Sequence, residues 1–324
     1  MDYTAHGLTL SLAWFVVANA ITSLLILAAA RALLLRESDT TPGPWLLLRL
    51  APAIASVVFV VVFFIPSYWE YEPRESVEGF DLTLAAIAAG AAIMIAIALA
   101  RGVLAWLSAT RRVRQWIRHA RPVRRLTPAA MPLFVVDSDQ AFIALSGIRR
   151  HRLIVTRGLI NALTNAELNA AIAHELGHGR AWDNLKRLAI RSAPDFLGLT
   201  RTAHELEQRW ASGAEHTADR AAGPASAARC ALASALVKVA RLTSAACPVR
   251  EAAVAAEPIS TLISGGEIAS RVRRLLDDPA VESRPRRARS WLVGAASAAL
   301  LVATYAPLLR ALHETTERLI RILP

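Results

Sequence analysis

The sequence is short of charge and of cysteine. Charged residues make up 19% of its 324 residues, whereas about a quarter is typical of soluble globular domains. The two cysteines, Cys230 and Cys247, lie in no Cys-x-x-Cys pair, so they predict neither a zinc ribbon nor a dithiol redox site. With 54% hydrophobic residues and a mean hydropathy of +0.37, the composition favours a membrane protein.

Long apolar runs support this interpretation. Four runs approach or exceed the roughly 20 residues that a helix needs to cross a bilayer, over residues 8–35, 45–68, 82–100 and 291–312. Tryptophan or tyrosine lies near several of their ends, as in the interfacial belts of membrane proteins. Buried core helices are the alternative, which four such runs make less favourable. The first run follows no basic segment and is too long for a signal-peptide core, so we expect a retained span.

The runs divide the chain into three regions. We predict a membrane region over residues 1–107, a soluble domain over 108–290, and a fourth membrane helix with a short tail over 291–324. The soluble insert is long enough for one compact domain. The three spans of the first region are predicted at residues 8–35, 45–68 and 82–107.

The net charge of +11 is concentrated beside these runs. Arginines follow the third run and precede the fourth, whereas the loop between the second and third runs is mostly acidic. The arginines are Arg111, Arg112, Arg114, Arg118, Arg121, Arg124, Arg125, Arg284, Arg286, Arg287 and Arg289. Because Lys and Arg collect on cytoplasmic flanks, we expect the N-terminus outside and residues 108–290 in the cytoplasm. Nucleic-acid binding would also explain a basic chain, but no helix-turn-helix pattern supports it.

The soluble region predicts an α+β domain that is mostly helical with a small sheet. Its apolar, β-branched segments predict three strands, over residues 131–138, 141–147 and 151–160. Periodic segments predict helices over residues 163–190, 200–222 and 225–243, and a loop with a short helix over 258–278. Thr164 and Glu167 form a capping box at the start of the first helix.

The strongest chemical signal is the stretch AIAHELGHGRAWDN, residues 171–184. His174 and His178 lie four positions apart on one helix face, where both imidazoles can bind one metal ion. Glu175 lies about a hundred degrees round the helix, close enough to reach a water held by that ion without being a ligand. This is the His-Glu-x-x-His pattern of zinc proteases, with two ligands and a general base. An amphipathic helix with solvated histidines is the alternative, and it predicts no further ligand.

A third ligand is available downstream, in GAEHTADRAA. Glu215 and Asp219 lie four positions apart on the next predicted helix. Two histidines and Glu215 would leave the fourth zinc position open for water, as catalysis requires. Asp219 can accept the second N–H of a ligand histidine and fix its tautomer. The alternative for this pair is an exposed acidic face.

Nearby residues are expected to have other roles. Asp183 and Asn184 are predicted to cap or pack rather than to bind metal, and His204 is predicted at the surface. Gly177 and Gly179 flank His178, and each costs a helix interior about 1 kcal/mol relative to alanine. That cost suggests the close approach of another part of the backbone.

The segment TRGLINALTNAELNAAIAHELGHGRAWDNL, followed by EHTADRAA, resembles the zinc peptidase domain of the BlaR/MecR family of membrane metallopeptidases. These gluzincins are related to the HtpX and CAAX-protease families. The resemblance covers about residues 131–222, and the predicted order of spans and domain also matches. It implies a gluzincin-like domain that holds one zinc ion per chain, with Glu175 as the base and with ligands His174, His178 and Glu215. It also implies a sheet-edge strand on which an extended substrate adds, formed by Ala141, Phe142, Ile143 and Ala144.

The resemblance sets the functional expectation. Well-known members sense β-lactams through a C-terminal extracellular domain and cleave a cytoplasmic repressor, but we expect no such sensor after the fourth run. We therefore expect a zinc endopeptidase of the bacterial inner membrane, in contact with lipid, that cuts a repressor or a membrane protein and binds no nucleic acid directly. HtpX-like quality control and a non-proteolytic signalling scaffold are the alternatives. Glu175 argues against the scaffold, since a structural zinc site needs no base.

Overall fold

Three long apolar helices begin the chain in the computed structural model, which describes residues 3–35, 41–73, 81–118, 120–123, 132–245, 268–277 and 290–322. By length and composition, three helical segments of this part can cross a membrane: Tyr3–Ala30, Pro42–Tyr71 and Leu82–Arg118. The first three predicted runs are therefore confirmed as apolar helices. Their elements are α1 (Tyr3–Leu35), α2 (Pro42–Val58), a π-helical segment (Phe59–Phe64), α3 (Ile65–Tyr71) and α4 (Leu82–Arg118).

The fourth predicted run also forms a helix, α11 (Ser290–Ile322), which packs against this bundle. Tyr305 donates its hydroxyl to the carbonyl oxygen of Val62 in the π-helical segment, at 2.6 Å. Ser67 of α3 donates to the carbonyl oxygen of Leu309, at 2.7 Å. The tyrosine hydroxyl thereby satisfies a backbone oxygen in a segment whose helical hydrogen bonding is irregular.

The peptidase-like region contains a four-stranded sheet in the order β1-β2-β4-β3. Strand β4 pairs parallel with β2 and antiparallel with β3, and β1 pairs antiparallel with β2. The strands are β1 (Ala120–Val123), β2 (Leu133–Val136), β3 (Ile143–Ser146) and β4 (Arg152–Thr156). The three predicted strands are confirmed, and β3 lies at one edge of the sheet.

Two details of the predicted sheet were wrong. Strand β1 was missed because its residues, ARPV, lie in an arginine-rich stretch without the alternation typical of strands. The predicted third strand ends at Thr156, because residues 157–162 form helix α5 (Arg157–Ala162) instead.

The remaining described helices are α6 (Asn165–Arg180), α7 (Asp183–Arg191), α8 (Arg201–Ala221), α9 (Ser226–Ala245) and α10 (Ile268–Asp277). The helices predicted over 200–222 and 225–243 are confirmed as α8 and α9. The single helix predicted over 163–190 was wrong, because the chain breaks at Trp182, which adopts a left-handed conformation with φ of 58°. Such a residue cannot continue a right-handed helix.

Two apolar clusters position the site. The first lies between the sheet and α6 and α9, and it contains Leu153, Leu159, Leu232 and Leu236. The second joins the apolar bundle to α8 through Ile26, Trp45, Leu206 and Trp210. Helix α8 therefore has α6 on one side and α2 on another.

Candidate metal centre

Helix α6 is fixed at its start by the predicted capping box. The Glu167 carboxylate accepts the Thr164 N–H at 2.8 Å, and the Thr164 hydroxyl oxygen accepts the Glu167 N–H at 3.4 Å. Glu167 also accepts hydrogen bonds from Ser234 and Lys238 of α9, at 2.6 and 2.7 Å. Burial raises the pKa of Glu167, but these hydrogen bonds outweigh it and lower the pKa to about 2. The ionised carboxylate thus holds α6 against α9.

The two histidines of the motif lie on one buried face of α6. His174 has no exposed surface, and His178 is 5% exposed. Their ring centroids are 4.9 Å apart and the rings are nearly perpendicular. Spacing of four residues therefore places both imidazoles at one point inside the domain, as the sequence predicted.

Helix α8 approaches this face closely because α6 carries a glycine there. A Cβ atom at Gly177 would lie 3.0 Å from the Cα of Ala218 and 2.8 Å from the Cβ of Ala221. The expected approach of another backbone is confirmed at Gly177. At Gly179, a Cβ would instead meet the side chain of Leu145 in β3, at 2.7 Å.

Glu215 of α8 lies opposite both imidazoles. Its Oε2 is 3.5 Å from Nε2 of His174, and its Oε1 is 3.5 Å from Nε2 of His178. One ligand atom from each of these three buried residues lies within 4.8 Å of the others, a separation that one metal ion can bridge. The structure thus brings together all three residues that the sequence predicted as metal ligands.

A carboxylate lies beside the other nitrogen of each imidazole, as an ion-pair contact at His174 and as a hydrogen bond at His178. Nδ1 of His174 lies 3.0 Å from Oδ1 of Asp219, and Nδ1 of His178 lies 2.8 Å from Oδ2 of Asp183. Burial lowers the pKa of His178, but its contacts with Asp183 and Glu215 raise it to about 9. Both Nε2 atoms are consequently turned towards Glu215, which is how metal-binding histidines are commonly oriented.

Asp219 occupies the place that the sequence predicted for it, whereas the role of Asp183 was missed. Asp183 was expected to cap or pack rather than to bind metal. The break at Trp182 restarts the helix at Asp183 and brings its carboxylate back to the imidazole. No local sequence pattern predicts a tryptophan with positive φ at this position.

The donor set fits zinc. In the part of the chain that the structure describes, neither Nε2 atom of His174 and His178 has a hydrogen-bond partner, although both are buried. Buried polar atoms without a partner are rare in stable proteins and call for an explanation. Two imidazole nitrogens and a carboxylate are the ligands of catalytic zinc sites, with a fourth position left open.

Glu175 lies beside these ligands with its carboxylate directed at the sheet edge. It is 2% exposed, and its Oε2 accepts the backbone N–H of Leu145 in β3, at 3.0 Å. Burial raises the pKa of Glu175 above its ordinary value, although the two histidines oppose this shift. A carboxylate with a raised pKa beside a metal site is suited to receive and return a proton.

Strand β3 presents alternate backbone groups away from its neighbour β4. The backbone of Phe142 bonds Thr156, the last residue of β4. Leu145 faces the opposite way, since its carbonyl oxygen accepts from Asn184 at 3.2 Å. Because strand residues alternate, Ala141 and Ile143 face the same way as Leu145. Of the four residues predicted to bind substrate, Ile143 and Ala144 lie within β3, and Ala141 and Phe142 precede it.

Arg271 of α10 is a site residue that sequence reasoning missed. Its Nη1 lies 2.9 Å from Oε2 of Glu215, and its Nε donates to Oδ2 of Asp219 at 3.0 Å. Burial raises the pKa of Glu215, but the two histidines and Arg271 lower it well below its ordinary value. In the sequence, RVRRLL looks like a solvated basic helix, and nothing local indicates a contact 52 residues away.

A second group of possible ligands lies at the other end of the bundle. Glu72, His313 and Glu317 also place one ligand atom each within 4.8 Å of the others, but they are only partly buried. This group contains one imidazole and lies away from the His-Glu-x-x-His motif. The first group is therefore the candidate metal centre.

The comparisons with known proteins agree with this geometry. The family model described as peptidase family M48 matches residues 108–292, which is more than half of the chain. A plastoglobule-localized metallopeptidase 48 of the chloroplast, from Arabidopsis thaliana, is 39% identical over 88 residues. That alignment covers 25% of each protein, so the chain matches about a quarter of the length of this relative. The resemblance to membrane zinc metallopeptidases is confirmed, and the chain belongs to peptidase family M48.

Proposed function

We propose that the chain is an integral membrane zinc endopeptidase that performs regulatory, site-specific proteolysis of a cytoplasmic or membrane-proximal protein, such as a repressor. One observation carries the enzymatic part. Two buried Nε2 atoms and the Glu215 carboxylate converge, a second carboxylate lies beside each imidazole, and Glu175 lies alongside. A purely structural metal site has no use for such an adjacent base.

The residues of the chain divide the chemistry among them. When bound by His174, His178 and Glu215, zinc supplies a Lewis acid that polarises a carbonyl and acidifies water. Glu175 accepts a proton from the attacking water and returns it to the leaving nitrogen of the peptide. The raised pKa of Glu175 favours the first transfer, since a carboxylate with a higher pKa accepts a proton more readily. Asp183 and Asp219 keep both imidazoles in the orientation that binding needs.

Substrate is proposed to bind along β3 as an added strand. The backbone groups of Ala141 and Ile143 face away from β4, whereas those of Phe142 face towards it. An extended peptide would hydrogen bond the backbone of Ala141 and Ile143, so two of the four predicted residues are proposed to bind substrate. Leu145 continues the same edge, and its N–H already bonds Glu175. A peptide held at this edge therefore lies beside the proposed base.

The proposed location is a bacterial inner membrane, with four spans, the N-terminus outside, and residues 108–290 in the cytoplasm. The apolar helices α1 to α4 and the arginines at the end of α4 support this topology. Helix α4 runs without a break from the apolar segment into the basic one, where Arg111, Arg112, Arg114 and Arg118 lie. The arginine-rich end would then meet anionic headgroups on the cytoplasmic side.

The test combines metal analysis with proteolysis, on full-length protein in detergent. We expect about one zinc per chain in the wild type and in Glu175→Gln, and loss of most of the zinc in His174→Ala and Glu215→Ala. Glu175→Gln should abolish cleavage of a general protein substrate such as casein. His204→Ala is the matched control, because His204 lies on the same helix as Glu215 but is exposed, where its ring bonds Gln208. No zinc in any variant, even after incubation with the metal, would refute the proposal.

A second experiment separates regulation from quality control. Membranes that contain wild type or Glu175→Gln are compared for accumulated proteins and new fragment ends. One or a few fragments with a common cleavage sequence would support a regulatory protease. Accumulation of many damaged membrane proteins in Glu175→Gln would favour the HtpX-like alternative. Full zinc with no cleavage of any protein would favour the scaffold.

A further inference from the structure

Polar side chains of the apolar helices hydrogen bond to the segment between α7 and α8. This segment joins the part of the metal centre on α6 and α7 to the part on α8. We call this segment, residues 192–200 between α7 and α8, the connector. Asn19 of α1 donates to the carbonyl oxygen of Pro194 at 2.9 Å and accepts the N–H of Phe196 at 3.1 Å. Arg101 of α4 donates to the carbonyl oxygen of Ala193 at 3.2 Å. Two of the apolar helices thus hold the connector by its backbone.

Arg49 of α2 makes charged contacts with both the connector and α8. Its Nη1 lies 2.9 Å from Oδ2 of Asp195, and its Nε lies 2.7 Å from Oε1 of Glu207. Arg49 and Asp195 are buried, and Asp195 also accepts the N–H of Gly198. Charge-assisted hydrogen bonds from a planar guanidinium to two carboxylates fix direction as well as distance.

The contacts of Arg49 bear on the metal centre through α8. Glu207 and Glu215 lie on the same helix, eight residues or about 12 Å apart along its axis. Apolar packing supports the same contact, since Trp45 of α2 shares a buried cluster with Leu206 and Trp210 of α8. The face of α8 that carries Glu215 meets α6, while Glu207 meets α2. A shift of α8 relative to α2 would therefore move Glu215 relative to the two imidazoles.

The connector is also joined to the part of the metal centre that contains His178. It follows α7, whose first residue, Asp183, orients His178. The first residue of the connector packs tightly on α4, because a Cβ at Gly102 would lie 2.7 Å from the Cβ of Ser192. Contacts with the apolar bundle therefore fix the position of the connector, and the connector in turn constrains α7 and α8.

We propose that Arg49 is a positioning residue of the metal centre, which sets the distance of Glu215 from His174 and His178 by bridging Asp195 and Glu207. The inference rests on the proposed function of that centre. It makes the apolar bundle part of the active-site scaffold rather than a passive anchor. A change in the bundle would reach the metal ligands through this bridge.

The first test measures zinc binding by full-length protein in detergent, with the metal alone and a competing chelator dye. Arg49→Met should raise the zinc dissociation constant about tenfold. Arg49→Lys should give an intermediate value, because an ammonium satisfies the two carboxylates less well than a guanidinium. Arg318→Met is the matched control, since Arg318 is exposed and pairs only loosely with Glu314, at 4.0 Å. The control should keep the wild-type constant.

A second pair of variants separates positioning from loss of stability. Arg49→Met leaves buried Asp195 without its cation, which by itself can weaken the fold. Combining it with Asp195→Asn removes that unpaired charge, and the milder Glu207→Gln leaves Arg49 in place. Both variants should still bind zinc more weakly than the wild type, and the absorption bands of Co²⁺ bound in place of zinc should shift. Wild-type zinc affinity and Co²⁺ spectra in the folded double variant would overturn the inference.

A third measurement needs no metal and so keeps the two hypotheses apart. Spin labels at Asn169 of α6 and Thr217 of α8, both exposed, report the distance between these helices after Cys230 and Cys247 are replaced by serine. Arg49→Met should broaden or shift the distance distribution. An unchanged distribution would refute the positioning role of Arg49, whether or not zinc binds. A wild type that binds no zinc would instead refute the proposed function.

Discussion

Replacing Gly177 by alanine should weaken zinc binding more than it weakens the fold. In a helix interior, glycine is about 1 kcal/mol less favourable than alanine, so the substitution gains that amount for α6. The added methyl would lie 3.0 Å from the Cα of Ala218 and 2.8 Å from the Cβ of Ala221. Overpacking of this kind costs about 1–3 kcal/mol. The two effects partly cancel, and the free energy of unfolding should fall by about 0–2 kcal/mol.

In the metal centre, no favourable effect offsets the displacement of α8. To restore an ordinary contact of 3.4 Å or more with a backbone atom now at 3.0 Å, α8 must move away by about 0.4 Å or more. Metal–ligand distances tolerate about 0.2 Å. Glu215 lies one turn before Ala218 on the displaced helix, so its carboxylate moves away from His174 and His178. We expect the zinc dissociation constant to rise about tenfold or more, the usual effect of disturbing the support of a ligand.

Zinc competition and thermal unfolding, measured on the same preparations, decide the matter. Gly90→Ala in α4 is the matched control, because a Cβ at Gly90 meets nothing within 4 Å. It should keep wild-type zinc affinity and unfold at the same or a slightly higher temperature. Wild-type zinc affinity in Gly177→Ala would show that the close packing of α6 and α8 does not set the ligand distances. The reasoning from the glycine would then be wrong.

Two further predictions concern carboxylates around the site. Asp183→Asn should raise the zinc dissociation constant about 10-fold to 100-fold, because His178 loses the carboxylate that holds its Nδ1; unchanged affinity by chelator competition would contradict this role. Glu167 has a folded pKa of about 2, below its ordinary value of 4.5, so its contribution to stability is complete above pH 4.5 and disappears as the pH falls towards 2. In Glu167→Gln, the free energy of unfolding should therefore depend less on pH between 4.5 and 2, whereas Glu205→Gln, at an exposed position, should behave like wild type. Equal pH dependence in Glu167→Gln and wild type, in urea titrations, would refute the assignment.

The sequence predicted the candidate metal ligands because their geometry is local or nearly so. The spacing of His174 and His178 is a property of one helix, and Glu215 and Asp219 share a second helix with the same four-residue spacing. Each helix also carried a recognisable start: Thr164 caps α6, and Thr200 accepts the N–H of Ala203 at the start of α8. Strong periodic signals of this kind are the most reliable part of sequence interpretation.

The two missed residues, Asp183 and Arg271, have no recognisable pattern in the sequence around them. Asp183 reaches His178 only because Trp182 takes a conformation that few non-glycine residues adopt. Arg271 contacts Glu215 although it lies 56 positions further along the sequence. Its arginine-rich neighbours instead suggest a basic helix exposed to solvent. The first contact depends on an unusual backbone conformation, and the second depends on packing between distant helices.

Local sequence patterns also identify the apolar helices only as membrane spans, because they do not show which residues of these helices contact the peptidase region. Hydropathy reports the surface that a helix offers to lipid, and it is insensitive to a few polar residues within a long run. Asn19, Arg49 and Arg101 are such residues, and each contacts the connector or α8. A polar or charged side chain is costly in an apolar helix unless it has a partner. The partners here lie on the peptidase side, so the bundle and the metal centre stabilise each other, and the membrane region shapes the site it carries.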